Sequence, residues 1–334
     1  MEDITDLNET ISKARPNAKE STVKMYERNL NKLKKLFDSK DYSFLKDVDK
    51  VKEMLSDKHY STRRNYWNSI IILLMAINHD DQYAKLLTEY EKLRDEGNKQ
   101  YEDENATGKI SEKQSENFVE LKLVEDMVNT IGKEISDKKI KKKGDLKAKD
   151  KALLQVWVIL KIHLELPMRN DLSGMLAIMK SQYNKLSDAD KKDTNYLVVE
   201  KGKMWMVLNN YKTSKTYLEK KVPISKDLEK VLRLYIRING MGILFKSSTD
   251  KPLSRNAISQ LLIKTSKKYM DGKSISTTLL RKIVLSDMFQ DTKEEQEKMA
   301  EITGHSVETM NKVYVKSGQK DGSESKQESK SSSE

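Results

Sequence analysis

The 334-residue chain contains no cysteine. That single absence removes disulfides, thiol nucleophiles and cysteine-ligated zinc. Proline and glycine are scarce, at 4 and 12 residues, a composition that favours a helix-rich soluble protein. The longest unbroken apolar run, IIILLMAI at 70–77, is far too short to span a bilayer, so no membrane partner is expected. The four histidines, His59, His79, His163 and His305, show no ligand spacing, and neither a metal nor another cofactor is expected. The opening MEDITDLNET is acidic and polar, unlike a secretory or transit segment, which points to an intracellular location.

Charge is what the chain has in abundance. Asp, Glu, Lys and Arg make up 34% of residues, and the formal net charge is +11. Between Val198 and Lys282, 19 basic residues face 6 acidic ones, a local +13, so the remainder is close to neutral. A basic surface confined to one region suits a polyanionic partner, whose affinity comes largely from releasing counterions off phosphates.

The length allows two domains. In the first, Val23, Tyr26, Leu30, Leu33 and Phe37 recur three and four apart, predicting a helix capped by Ser21 or Thr22. A short helix fits Asp47–Leu55, and Ser61 and Thr62 open a third through Tyr66, Trp67, Ile70, Leu73, Leu74 and Ile77. A fourth runs from about Tyr83 to Leu93. Four helices in one short stretch make a plausible bundle, because each needs a neighbour to bury its stripe. Residues 95–116 hold almost no aliphatic side chains and are the best linker material in the chain. The expected division is a helical domain over 1–105, a linker over 106–116, a second domain over 117–316 and a disordered polar tail over 317–334.

In the second domain, the lysine run at 137–151 reads as an exposed loop and ALLQVWVILKIHLEL at 152–166 as a buried helix. Strand patterns occur only at YLVVE 196–200, MWMVLNNY 204–211 and KVPI 221–224, predicting a small three-stranded antiparallel sheet in a mainly α fold. Four segments then follow in order: ELPMRNDLSGM, NNYKTSKTYLEKKVPIS, SISTTLLRKIVLSD and ITGHSVETMNKVY. In this order and spacing they resemble the catalytic domain of tyrosine recombinases, the phage-integrase family, over roughly residues 117–316. STVKMYERNL and STRRNYWNSIIILL are similar, less specifically, to that family's helical, SAM-like core-binding domain. The LPMRNDL and YKTSKTY forms look most like recombinases of large eukaryotic DNA viruses and their mobile elements.

The resemblance implies a two-domain clamp on double-stranded DNA, and a role for each matching position. Tyr314 would attack a phosphodiester and form a 3′-phosphotyrosine, conserving bond energy without ATP or metal. Arg169 and Arg281 would clamp the non-bridging oxygens, a task suited to a planar fork that stays charged. His305 would add a donor or assist proton transfer. A hairpin lysine would protonate the leaving 5′-oxygen; Lys212 and Lys215 both qualify, with Lys212 slightly preferred. Strand alternation puts these two on one face only if a bulge intervenes.

Two positions depart from the family. Thr278 stands where a histidine is usual, three residues before Arg281, and threonine donates one hydrogen bond but shuttles no proton near neutrality. Leu172 occupies the usual acid position, with Asp171 one residue earlier. The basic segment SRNAISQLLIKTSKKY at 254–269 reads as a helix for a major groove or for phosphates, with Arg255, Asn256, Lys264, Lys267 and Lys268 as contacts. Arg63 and Arg64 are the candidates in the first domain. Strand exchange would need a homotetramer on two DNA sites, wherever that DNA resides, in a host nucleus or viral factory. Two alternatives stay open: a type IB topoisomerase, which uses the same chemistry, and a catalytically weakened DNA-binding relative.

Overall fold

Apolar residues spaced three and four apart fill much of the chain, and the computed structural model folds those stretches as helices. It describes residues 4, 6–78, 81–106, 110–140, 146–303 and 307. The chain divides into two compact units, Met1–Ser111 and Glu112–Glu334.

The first unit contains α1 (Leu7–Ala14), α2 (Glu20–Leu36), a 3₁₀ turn (Ser43–Lys46), α3 (Val48–Met54), α4 (Tyr60–Ile77) and α5 (Ala84–Ala106). Helix α1 was not among the four expected helices. It forms because the Asp6 carboxylate accepts from the backbone N–H of Glu9 at the N-cap and because Ile11 is fully buried. Ser21 and Thr22 lie inside the first turn of α2, whose cap position is Lys19. The cap of α4 is likewise two residues before Ser61, where a ring nitrogen of His59 accepts from the N–H of Ser61. Leu30, Leu33, Leu45, Ile70, Leu73, Leu74 and Tyr90 form the fully buried centre. Each such aliphatic side chain contributes roughly 1.5–3 kcal/mol relative to exposure.

Helix α5 runs on through 95–106, the charged stretch whose composition reads as linker. It has few apolar side chains there, so its support is polar and aromatic. The Tyr60 hydroxyl donates to Glu104 at 2.6 Å. Arg64 donates to Asn98 at 3.4 Å and stacks its guanidinium 4.9 Å from the Tyr101 ring.

The second unit proceeds through α6 (Glu112–Ser115), α7 (Leu121–Asp137), α8 (Ala148–Glu165), β1 (Leu176–Met179), α9 (Lys180–Tyr183), α10 (Asp188–Lys192), β2 (Tyr196–Glu200) and β3 (Lys203–Leu208). It continues with α11 (Ser214–Tyr217), β4 (Lys220–Pro223), α12 (Lys226–Asn239), β5 (Gly242–Ile243), α13 (Arg255–Tyr269) and α14 (Thr277–Thr303). The sheet has five strands in the order β4-β3-β2-β1-β5 and is mixed, with β1 parallel to β2 and every other pairing antiparallel. This corrects the expectation of three antiparallel strands. The three foreseen strands are β2, β3 and β4. LAIM in β1 is too short to show alternation, and β5 is only Gly242 and Ile243, with Gly240 and Gly242 both at positive φ. Such strands exist through their partners, Leu176 pairing with Tyr196 and with Ile243.

Both sheet faces are covered. Leu197 and Val199 of β2 enter the main core with Ile159, Leu160 and Ile162 of α8. Tyr196 and Val198 point into a second cluster with Tyr183 and Val207. A strand buried on both faces reads as a continuous apolar run, which YLVVE is. Part of the lysine run at 137–151 is helical, since α8 begins at Ala148; Ile140 within it is buried. Among the described residues no helix is long and apolar enough to cross a membrane, and no group of three or more His, Asp or Glu is placed to hold a metal ion. The 317–334 tail lies outside the described residues.

Candidate active site

Pro167 ends α8. A residue before proline is pushed out of the α region, and the C-cap Leu166 sits at φ −123°, ψ 87°. The chain then turns tightly, Met168 N–H bonding to the Leu166 carbonyl at 2.6 Å and Asp171 N–H to the Arg169 carbonyl at 2.7 Å. Leu172 is fully buried and anchors this turn. Arg169 is thereby left exposed, and Asp171 lies buried behind it.

Arg281 arrives from the second turn of α14. Its neighbours Leu279, Leu280, Ile283 and Val284 are buried in the main core, so the helix is fixed where the half-buried arginine emerges. The third wall comes from the β3–β4 hairpin. Tyr211, Thr213 and Lys220 line a cleft of about 340 Å³ together with Arg169, Asp171 and Arg281. The Tyr211 hydroxyl donates to the Leu218 carbonyl at 2.7 Å and closes the hairpin tip. The Lys220 ammonium lies 4.9 Å from the Tyr211 ring and 4.8 Å from the Tyr217 ring, so two aromatic faces hold its charge at the cleft edge.

The cleft is electrically unbalanced. Arg281 has its pKa pushed down, first by partial burial and then by repulsion from Arg169, with Asp171 opposing. Asp171 is pushed up by burial, against the pull of Arg255, Arg169 and Arg281. One buried carboxylate thus serves three guanidinium groups, with Arg255 closest at 3.5 Å. Two mutually repelling guanidinium groups in a shared cleft with a lysine constitute a site for an anion, and their geometry suits phosphate oxygens.

Three contributors carry no sequence motif. Lys220 lines the cleft, whereas Lys212 and Lys215 do not; Lys212 lies in a turn and Lys215 on the single turn of α11. Neither is on a strand, so the alternation rule does not apply to them. Asn195, only 4% exposed, ties the walls together. Its amide donates to the Asp171 and Asn210 carbonyls at 2.8 and 3.0 Å, and its oxygen accepts from the N–H groups of Asn209 and Asn210 at 2.9 and 2.8 Å. His163, 2% exposed on α8, has no partner for Nε2 among the described residues. Burial and then the charge of Arg281 hold its pKa down to about 4, so it is neutral at physiological pH.

Other expected positions fall in different places. Thr278 is exposed on the first turn of α14, three residues from Arg281, and the two share a helix face. Arg255 opens α13 and reaches the cleft through Asp171, while Asn170 donates to the Arg255 carbonyl at 2.7 Å. Asn256, Lys264, Lys267 and Lys268 are exposed along α13. Lys268 is engaged locally, donating to the Tyr269 hydroxyl at 2.8 Å. The basic ends of α13 are separated by roughly 18 Å at 1.5 Å per residue, so they do not form one patch. Arg63 is half-buried on α4 beside Arg64, which supports α5. His305 and Tyr314 lie outside the described residues.

No family model and no curated protein matches the sequence. Among solved structures, the chain is similar to the crystal structure of XerA recombinase, at 12% identity and a TM-score of 0.35, over 92% of each chain.

Proposed function

We propose that this protein is a DNA strand transferase of the tyrosine-recombinase type, which cuts and rejoins DNA through a 3′-phosphotyrosine. The observation that carries it is the convergence of Arg169, Arg281 and Lys220 on one cleft with a single buried carboxylate among them. A bound phosphodiester would relieve the repulsion between the two guanidinium groups. Its charge grows in the pentavalent transition state, so the clamp tightens during reaction, and preorganised donors of this kind are worth about 2.7–4 kcal/mol each.

In the cutting step the Tyr314 phenol oxygen bonds to phosphorus and its proton leaves to solvent. The bond from phosphorus to the 5′-oxygen breaks, and a lysine protonates the departing oxygen. The products are a 3′-phosphotyrosine and a free 5′-hydroxyl, and reversal with a second 5′-hydroxyl rejoins the strands. Lys220 joins Lys212 and Lys215 as a donor for that proton, and its place in the cleft favours it. His305 and the Thr278 hydroxyl act as further phosphate donors. Arg255 and the exposed basic residues of α13, with Arg63 in the first unit, contact the DNA backbone. Full exchange proceeds in a homotetramer on two sites. The LPMRNDL and YKTSKTY segments favour a role in integrating a viral or mobile element.

A pool of nicked suicide duplexes, built from DNA flanking the gene, tests this. The wild type should form a detergent-resistant protein–DNA adduct that Tyr314→Phe does not. Failure to form an adduct on any member of the pool would sink the assignment.

A further inference from the structure

The tip of the β3–β4 hairpin holds a conformation that its own residues do not favour. Leu218 stands at φ +53° and ψ −151°, a region that suits glycine and that other side chains rarely adopt. Its side chain is 72% exposed, so packing does not hold it there. Two tyrosine hydroxyls secure this segment instead. Tyr211, buried with the main core, donates to the Leu218 carbonyl at 2.7 Å. Tyr183, buried in the second cluster on the other face of the sheet, donates to the Glu219 carboxylate at 2.9 Å.

The next residue is Lys220. It opens β4 and stands opposite Leu208 at the end of the ladder, so the secured segment before it sets the direction in which its side chain leaves. The ammonium lies 4.9 and 4.8 Å from the ring centres of Tyr211 and Tyr217, on the cleft that holds Arg169 and Arg281. Tyr217 belongs to the same turn, its N–H bonded to the Thr213 carbonyl at 3.1 Å. Releasing the Leu218 carbonyl would let that residue rotate toward an ordinary negative φ. Such a rotation separates Tyr217 on one side and Lys220 on the other from the Tyr211 ring.

Resting on the function proposed above, we infer that the Tyr211 hydroxyl is a positioning group for the proton donor. By holding the Leu218 carbonyl it keeps the Lys220 ammonium in the cleft, where the departing 5′-oxygen takes its proton. Tyr211 transfers no proton itself. As the bond from phosphorus to the 5′-oxygen breaks, one proton moves from the Lys220 ammonium to that oxygen and leaves a neutral amine. The strained backbone of Leu218 makes the placement of the lysine depend on this one hydrogen bond.

Tyr211→Phe keeps the ring and removes only the hydroxyl. Adduct formation on an ordinary nicked duplex should slow roughly tenfold, less than the roughly 10²-fold expected for losing a general acid outright. A duplex with sulfur in place of the bridging 5′-oxygen needs no proton donor and should restore most of the rate. Adding Leu218→Gly to Tyr211→Phe should also restore it, because glycine adopts that φ without strain. Equal losses on both duplexes, or no loss on either, overturn the positioning role, and a failure of glycine to rescue overturns the part assigned to Leu218. A second measurement needs no activity. Isotope-labelled dimethyl groups placed on the lysines of the full chain give separate NMR signals, and the two rings displace that of Lys220 upfield; Lys220→Arg assigns it. Tyr211→Phe should move this signal toward those of exposed lysines, and an unmoved signal overturns the latch. A wild type that forms no adduct overturns the proposed function, a separate result, while the Lys220 signal still decides whether Tyr211 holds the lysine.

Discussion

The side chain of Asn195 bridges to the Asp171 carbonyl at 2.8 Å while its oxygen takes the Asn210 N–H at 2.8 Å. This one buried amide joins the turn after Arg169 to the start of the β3–β4 hairpin. Asn195→Ala strands two backbone N–H groups and two carbonyls in a buried place. At ~1–3 kcal/mol for each group left without water or partner, and with partial relaxation, the loss should be about 3 kcal/mol. Urea denaturation reads the stability. Adduct formation should fall further than the stability loss explains, because the hairpin and Arg169 lose their common support.

Lys220 should behave as the proton donor to the leaving oxygen. Lys220→Met should slow adduct formation by roughly 10²-fold or more, the usual scale for general acid catalysis. A substrate with sulfur replacing the bridging 5′-oxygen leaves without protonation and should restore the rate. Lys212→Met and Lys215→Met should show neither the full loss nor the rescue. Rescue at Lys212 or Lys215 instead would move the role to the hairpin tip.

The sequence carried the parts of this site that follow local rules. Arg169 after a proline-stopped helix and Arg281 beside a buried pair are both visible as ordered motifs. The three foreseen strands, β2, β3 and β4, are visible too, since YLVVE and its neighbours have length and β-branching. Lys220 does not stand out in the sequence because a strand-edge lysine looks like any other in KK, and its place in the cleft depends on Tyr211 and Tyr217 folding beside it. Asn195 was missed because a buried amide differs from a turn asparagine only through tertiary contacts. Asp171 stands one position from the expected acid, and its place in the cleft depends on Leu172 taking the core position. β1 and β5 were illegible because strands this short are made by their neighbours rather than by their own pattern.

Tyr90 gives a prediction for the first unit alone. It is fully buried, and its hydroxyl donates to the Leu45 carbonyl at 2.9 Å. Burial raises its pKa strongly, so it is a neutral donor at every accessible pH. Tyr90→Phe keeps the ring against Trp67, 5.8 Å away between centroids, and removes one buried bond. The cost should be about 1–2 kcal/mol. Thermal melting of the full chain should show it, and a melt that does not move would mean the carbonyl finds another donor.

His163 sets the behaviour of the second unit in acid. Its folded pKa of about 4 lies below its ordinary 6.5, through burial and then Arg281. The unfolded chain therefore binds the proton first, and the stability that neutral His163 supplies is complete above pH 6.5. It is lost as pH falls toward 4, by about 3 kcal/mol at 1.36 kcal/mol per unit. Asp171 has the opposite sign: its raised pKa means the folded state takes up the proton first, which adds stability as pH falls into the acid range. Comparing wild type with His163→Leu cancels that contribution, since Asp171 is present in both. The difference in urea midpoint between the two should be constant above pH 6.5 and shift in favour of the leucine variant from there down to 4. A difference that stays flat across this window would show that His163 is protonated or paired in the folded protein, and that Arg281 does not face a neutral ring.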